Sequence, residues 1–209
     1  MGGRAGSPRG LANHQPREFA NVSTRTVWII RLPDSAHTSR PWRIHAIAGD
    51  FRLEDVWALP TPGGPDDFPR LVRVMGSLRT SPAVRALMAL RWKIGRLLGL
   101  DRPQTGLGGR VSSLRDRLPG DLRDGPAGEV QAGSPFRPLY LTDDEWALEI
   151  ANRTVHAVLH LGWVGDHGQM AVLVKPNGRL GAAYMAAIAP FRHLIVYPQL
   201  TRDIERAWR

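Results

Sequence analysis

His156 and His160 lie four residues apart in an apolar run and are the first candidates for metal binding or acid–base work. In an extended chain that spacing puts their α-carbons about 13 Å apart. Strand chelation uses positions two apart, so one metal ion does not reach both. No His-Glu-x-x-His, no His-x-His and no clustered carboxylate pair accompanies them, so no metal is expected. The pair reads as structural residues on a semi-apolar face, with an acid–base role as the alternative.

Arg91 is the second candidate. At 100° per residue Val84, Leu87, Leu90, Ile94, Leu97 and Leu98 share one arc, and Arg91 falls inside it. An unpaired buried charge costs several kcal/mol or more, so an inward arginine must meet an anion. Either it snorkels outward or bridges Asp143, Asp144 or Glu149, or it holds an anionic ligand group. Trp57, Trp146, Trp163 and Tyr184 could line a cavity, although aromatics at strand and helix spacing also build cores. With no cysteine and no Gly-x-Ser-x-Gly there is no nucleophile motif. Gly106–Arg110 is Gly-rich but lacks the Gly-Lys-Ser/Thr ending of a phosphate loop. Asp143-Asp144-Glu145 reads as a solvated turn or a cap. No cofactor is expected.

These side chains need a scaffold, and the last third of the chain describes one. Trp146–Ala151, Val155–Val164 and Gln169–Lys175 alternate apolar and polar and end at Asn177-Gly178. Short turns between successive strands make an antiparallel meander. The face opposite Val155, Ala157, Leu159, Leu161 and Trp163 carries Val158 and Val164 beside the histidines, so both faces must be covered. Leu180–Trp208 then reads as one long helix. Tyr184, Ala187, Ile188, Phe191, Leu194 and Ile195 form its stripe toward the sheet, and Pro190 and Pro198 bend or break it.

Upstream, Phe51–Leu59 reads as a strand with Phe51, Leu53, Trp57 and Leu59 on one face and Asp55 as the odd member. Two helices follow. One is capped by Asp66 or Asp67 and runs to about Leu78; the other starts at Ser81-Pro82 and stops at Gly99. Gly99–Pro138 is too rich in Gly and Pro for a regular element beyond a short helix near Ser112–Leu118, and its mobile part could be a lid. Residues 33–50 form an irregular lead-in, and residues 1–32 a disordered arm.

The formal net charge is +9, and of 28 basic residues all but Lys93 and Lys175 are arginine. They are scattered rather than gathered in the stripe that tracks phosphates, so nucleic acid is not the expected partner. Met1–Arg17 lacks the apolar stretch of a secretory signal, and no run approaches the ~20 apolar residues of a membrane span. A soluble, cytoplasmic protein is expected, in keeping with the lack of cysteine.

Several stretches carry a family resemblance: Asp55–Pro60, Pro65–Pro69, Ala89–Lys93, Leu141–Trp146, Asn152–His156, His160–Val164 and Pro190–Pro198. From about Arg31 onward the chain resembles a group of bacterial proteins known as the domain-of-unknown-function 2867 family. That resemblance implies a START-like (SRPBCC), helix-grip superfamily fold, in which a curved antiparallel sheet and a C-terminal helix hold an apolar molecule. Related domains are also fused to nicotinamide-dependent short-chain reductases. The family brings no catalytic residues with it.

The expectation is therefore an α+β, START-like helix-grip domain over residues 33–209. Its partner is a small hydrophobic or amphipathic molecule, held by a candidate pocket of Trp57, Arg91, Trp146, His156, His160, Trp163 and Tyr184. The alternative is a cyclase or dehydratase type of enzyme using the same cavity. An enzyme would bring two titratable side chains within about 3–5 Å of each other.

Overall fold

The computed structural model describes residues 2, 30–78, 111–151 and 155–209. Among them six strands form one antiparallel sheet, β1 (Ile30–Arg31), β2 (Arg52–Ala58), β3 (Arg137–Leu141), β4 (Glu145–Ala151), β5 (Val155–Val164) and β6 (His167–Pro176). Their order across the sheet is β1-β2-β6-β5-β4-β3. The three C-terminal runs form the expected meander, and the upstream strand joins it by pairing with β6.

Two strands were not expected. Ile30 and Arg31 pair with Ala58 and Trp57, so the stretch read as an arm ends inside the sheet. Arg137–Leu141 pairs with β4 at the opposite edge. Pro138 reads as a breaker in sequence, but an edge strand tolerates proline because one side of it needs no partner. The stretch read as an irregular lead-in holds two single-turn helices, α1 (Ser35–Thr38) and α2 (Ile44–Ile47).

Both faces of the sheet are covered. On one, Trp42, Ile44, Ile47 and Ala48 join Leu114, Leu118 and Leu122 over Val56, Tyr140, Ala147, Val158, Ala171 and Leu173. Leu114 opens a 3₁₀ turn, Leu114–Arg117, capped by the Ser113 side chain; Leu118 follows its end, and Leu122 lies in α4 (Gly120–Arg123). Gly162 matters here. A Cβ would stand 2.7 Å from the Trp42 ring, so only glycine lets that indole lie on the sheet.

On the other face α3 (Phe68–Ser77) and α6 (Tyr197–Trp208) cover Trp57, Trp146, Leu148, Leu161, Trp163 and Met170. The Arg70 guanidinium lies 4.4 Å from the centre of the Trp208 ring and ties these helices together. Asp67 does not cap α3 with its side chain; its carboxylate accepts the Gly64 N–H instead, at 3.0 Å. The helix expected over residues 81–98, the loop at residues 106–110 and the turn at residues 152–154 lie outside the described residues.

The strand around Asp55 does not keep a single face. A bulge between Leu53 and Asp55 shifts the register, so Leu53 sits opposite Leu173 while Asp55 sits opposite Val172. Phe51 and Leu53 therefore pack with the α1–α2 layer, and Asp55, Trp57 and Leu59 face the C-terminal helix.

The C-terminal helix is broken, as its prolines predict. α5 (Gly178–Phe191) passes into a five-residue π turn, Arg192–Val196, and then into α6. Pro198 has no N–H to give the Leu194 carbonyl, which removes an α-helical bond at that turn. The expected inward stripe holds at Ile188 but fails at Ala187 and Phe191, ahead of the π turn, and at Leu194 and Ile195 within it. Met185, Ile188, Tyr197, Ile204 and Trp208 face inward, whereas Phe191, Leu194 and Ile195 are exposed.

Candidate site at the break in the C-terminal helix

Asp55 is fully buried, and four side chains converge on it. The Tyr197 hydroxyl donates to Oδ2 at 2.7 Å. The Arg192 guanidinium lies 3.5 Å from the same oxygen, while Arg31 and His193 each lie 3.4 Å from Oδ1. Arg192 also bridges to Glu54, at 3.3 Å. Trp57 floors this group, its ring centre 4.8 Å from that of Tyr197 and 6.0 Å from that of His193. The bulge in β2 turns Asp55 toward the helix, and the π turn aims Arg192 and His193 back at it.

Burial, then the charge of Asp55 and its hydrogen bond, push the Tyr197 phenol well above its ordinary range, so it stays a neutral donor. Three buried polar atoms in this group close no hydrogen bond: Asp55 Oδ1, the Trp57 indole N–H and Arg192 Nε. The Trp57 N–H lies near the Tyr197 oxygen without closing a bond to it. Buried polar groups are nearly always paired, so the two open donors, Trp57 N–H and Arg192 Nε, are unusual beside a carboxylate whose Oδ1 has only ion-pair partners.

An apolar strip leads away from them. Val172 sits opposite Asp55, Leu159 opposite Val172, and Ala157 opposite Val174. Val172, Leu159 and Ala157 are only half-buried, beneath a helix that contributes Met185 and Ile188.

The sheet separates the residues expected to share a pocket. Trp57, Trp146 and Trp163 are on the face of the C-terminal helix, but only Trp57 touches the Asp55 group. Trp146 is fully buried, donates to the Ala127 carbonyl at 2.9 Å and packs against Gly128. Trp163 donates to the Gly165 carbonyl at 3.0 Å and stacks on Trp208. Both are core. Tyr184 belongs to α5, and Arg91 lies outside the described residues.

His156 and His160 are on the opposite face, each with a glutamate from β4. His156 Nε2 lies 3.1 Å from Glu149, and His160 Nε2 lies 2.9 Å from Glu145. Glu145 is thus not part of a solvated turn: it opens β4 and is buried. Burial alone would raise its pKa, but bonds from His160, the Arg43 amide and Tyr140 outweigh it and hold the carboxyl below its usual range. For Glu149, burial is likewise outweighed by His156, Ser113 and the Leu114 amide.

The chain of bonds continues past His160, whose Nδ1 lies 3.1 Å from His37 Nε2. Burial keeps His160 below its ordinary pKa despite Glu145. Burial, reinforced by His160 and His45, lowers His37 to about 3. Both rings are neutral, and the partners assign the tautomers. Ionised Glu145 only accepts, so His160 Nε2 donates and His160 Nδ1 accepts from His37 Nε2. This leaves His37 Nδ1 as a buried lone pair with no partner. Among the described residues no group of three or more His, Cys, Asp or Glu is arranged to hold a metal ion.

Residues 47–199, most of the chain, match the model of a family described as protein of unknown function DUF2867. The chain belongs to this family. The DUF2867 match takes in Asp55, Trp57, Arg192, His193, Tyr197 and both His–Glu pairs, and begins after Arg31, His37 and Trp42. No curated protein and no solved structure matches the chain.

Tyr197, Arg192, His193 and His37 escaped sequence reading because each reaches its partner across more than a hundred residues of chain. Glu145 and Glu149 had a readable signal. They alternate with Trp146 and Leu148, and so share the His face once β4 and β5 pair.

Proposed function

We propose that this DUF2867 protein binds a small amphipathic molecule between the sheet and the broken C-terminal helix, in the manner of a START-like helix-grip domain. The observation that carries the reading is the open Trp57 N–H and Arg192 Nε beside the buried Asp55 carboxylate, at one end of a half-buried apolar strip. A polar head that accepts hydrogen bonds satisfies both open donors. An apolar body then covers Val172, Leu159 and Ala157. Such a site is mostly apolar with a few fixed polar anchors, the usual make-up of small-molecule sites.

Native mass spectrometry of the full chain purified without denaturant tests this. An adduct of small-molecule mass is expected, lost in Val172→Trp, where the larger ring fills the strip. An adduct that survives Val172→Trp in a folded variant, or the lack of any adduct in the parent, argues against the site.

A cyclase or dehydratase type of enzyme is the second reading, favoured by Tyr197 at 2.7 Å and His193 at 3.4 Å from Asp55. This proximity meets the spacing set above for acid–base work. His193 would move the proton and the open Trp57 N–H and Arg192 Nε would donate to a developing oxyanion. Turnover of a co-purified ligand that stops in His193→Gln, with binding retained, would favour the enzyme over the carrier.

A further inference from the structure

The outer side of the helix break carries a surface that ligand binding does not use. Among the described residues the large exposed apolar side chains are Ile30 at 56 %, Phe191 at 42 %, Leu194 at 76 % and Ile195 at 43 %. Three of them, Phe191, Leu194 and Ile195, lie together on the C-terminal helix. Phe191, Leu194 and Ile195 follow the i, i+3, i+4 spacing of one helix side. Ile30, opposite Ala58, points to the other face of the sheet from Arg31 and is not part of this surface. A cluster of this kind on an otherwise polar surface marks a contact site.

We propose that this surface docks on an anionic lipid bilayer, with Phe191, Leu194 and Ile195 entering the headgroup boundary. Charge selects the occupant. The same helix side continues into exposed Arg202 and Arg206, seven and eleven residues beyond Ile195, of which Arg206 is paired with Asp203 at 3.1 Å. The net charge of the chain is +9. A second copy of so basic a chain repels this surface, whereas anionic lipid attracts it. Apolar insertion beside arginines is how interfacial helices hold a membrane without crossing it. No described helix is long and apolar enough to cross one. The proposal concerns the outer side of the helix and stands whether or not a ligand occupies the Asp55 site.

Co-sedimentation of the full chain with phosphatidylglycerol–phosphatidylcholine vesicles tests it, with pure phosphatidylcholine vesicles and high salt as comparisons. The parent is expected to partition onto the anionic vesicles and to lose much of that binding in high salt. Leu194→Glu should weaken partitioning by about tenfold or more, since it removes apolar area and adds a repelled charge. Arg202→Glu should weaken it on anionic vesicles alone. Leu194→Ser, with circular dichroism and a thermal melt, guards against a folding defect. The proposal is overturned if the parent stays in the supernatant, or if folded Leu194→Glu and Leu194→Ser sediment like it. A parent dimer that Leu194→Glu converts to monomer, with no vesicle binding, overturns it in favour of self-association.

Discussion

A single carboxylate, Asp55, organises the candidate site because it cannot be left alone. Its side chain has no solvent contact, and the cost of an unpaired buried charge is what recruits Tyr197, Arg192, Arg31 and His193 around it. In sequence Asp55 stands out as the one polar member of an apolar strand face, which marks the position without revealing its partners. Tyr197→Phe should lower stability by about 1–3 kcal/mol, because Oδ2 loses its hydrogen-bond donor where water does not reach. A urea titration of the two proteins reads this directly. An unchanged midpoint would mean that Arg192 alone satisfies that oxygen. Asp55→Leu should cost more than Tyr197→Phe, since it leaves the buried Tyr197 hydroxyl without its acceptor and Arg192 with one carboxylate instead of two.

At the scale of elements, legibility followed locality. β5 spans Val155–Val164 as its alternation predicts, and β2, β4, β6 and α3 lie within a few residues of their expected ends. Alternation and helical spacing report the burial of a neighbouring layer, so long amphipathic elements declare themselves. β1 and β3 are short, lie at the sheet edges and are held by partners distant in sequence, and no periodicity marks them. The helix stripe failed both ahead of the π turn and within it. The prolines announce a break, but whether the turn widens or kinks is decided by what lies beneath it, and one extra residue per turn re-aims every later side chain.

The segment at residues 113–123 is another element held from a distance. Glu149 accepts from the Ser113 hydroxyl, from the Leu114 N–H at 3.0 Å and from His156, so one carboxylate fastens the 3₁₀ turn to the sheet. Glu149→Ala should cost about 3–5 kcal/mol, as it leaves a buried histidine and a buried amide unpaired. Hydrogen exchange at the Leu114 amide should accelerate more than at central β5 amides. Equal acceleration at both places would show that the turn has no separate attachment.

The whole molecule should register acid through its buried histidine–glutamate face. His37 sits near 3 when folded and near 6.5 when unfolded, so between these values the unfolded chain binds the extra proton. Stability is therefore complete above pH 6.5 and falls as the pH drops through that window. His160 is displaced in the same direction and adds to the loss. Glu145 and Glu149, held below their usual range, contribute stability that disappears only as the pH falls below about 4.5. At pH 5 the carboxylates have barely begun to act, and His37 alone should already cost about 2 kcal/mol relative to pH 7.5. His37→Gln keeps a donor for His160 Nδ1 but does not titrate. Urea unfolding at pH 7.5 and pH 5 should therefore show a smaller pH 5 loss in His37→Gln than in the parent, whatever the variant costs at pH 7.5. The same loss in both proteins would mean that His37 is already charged in the folded state and that the Glu145–His160–His37 chain carries a proton more than its geometry implies.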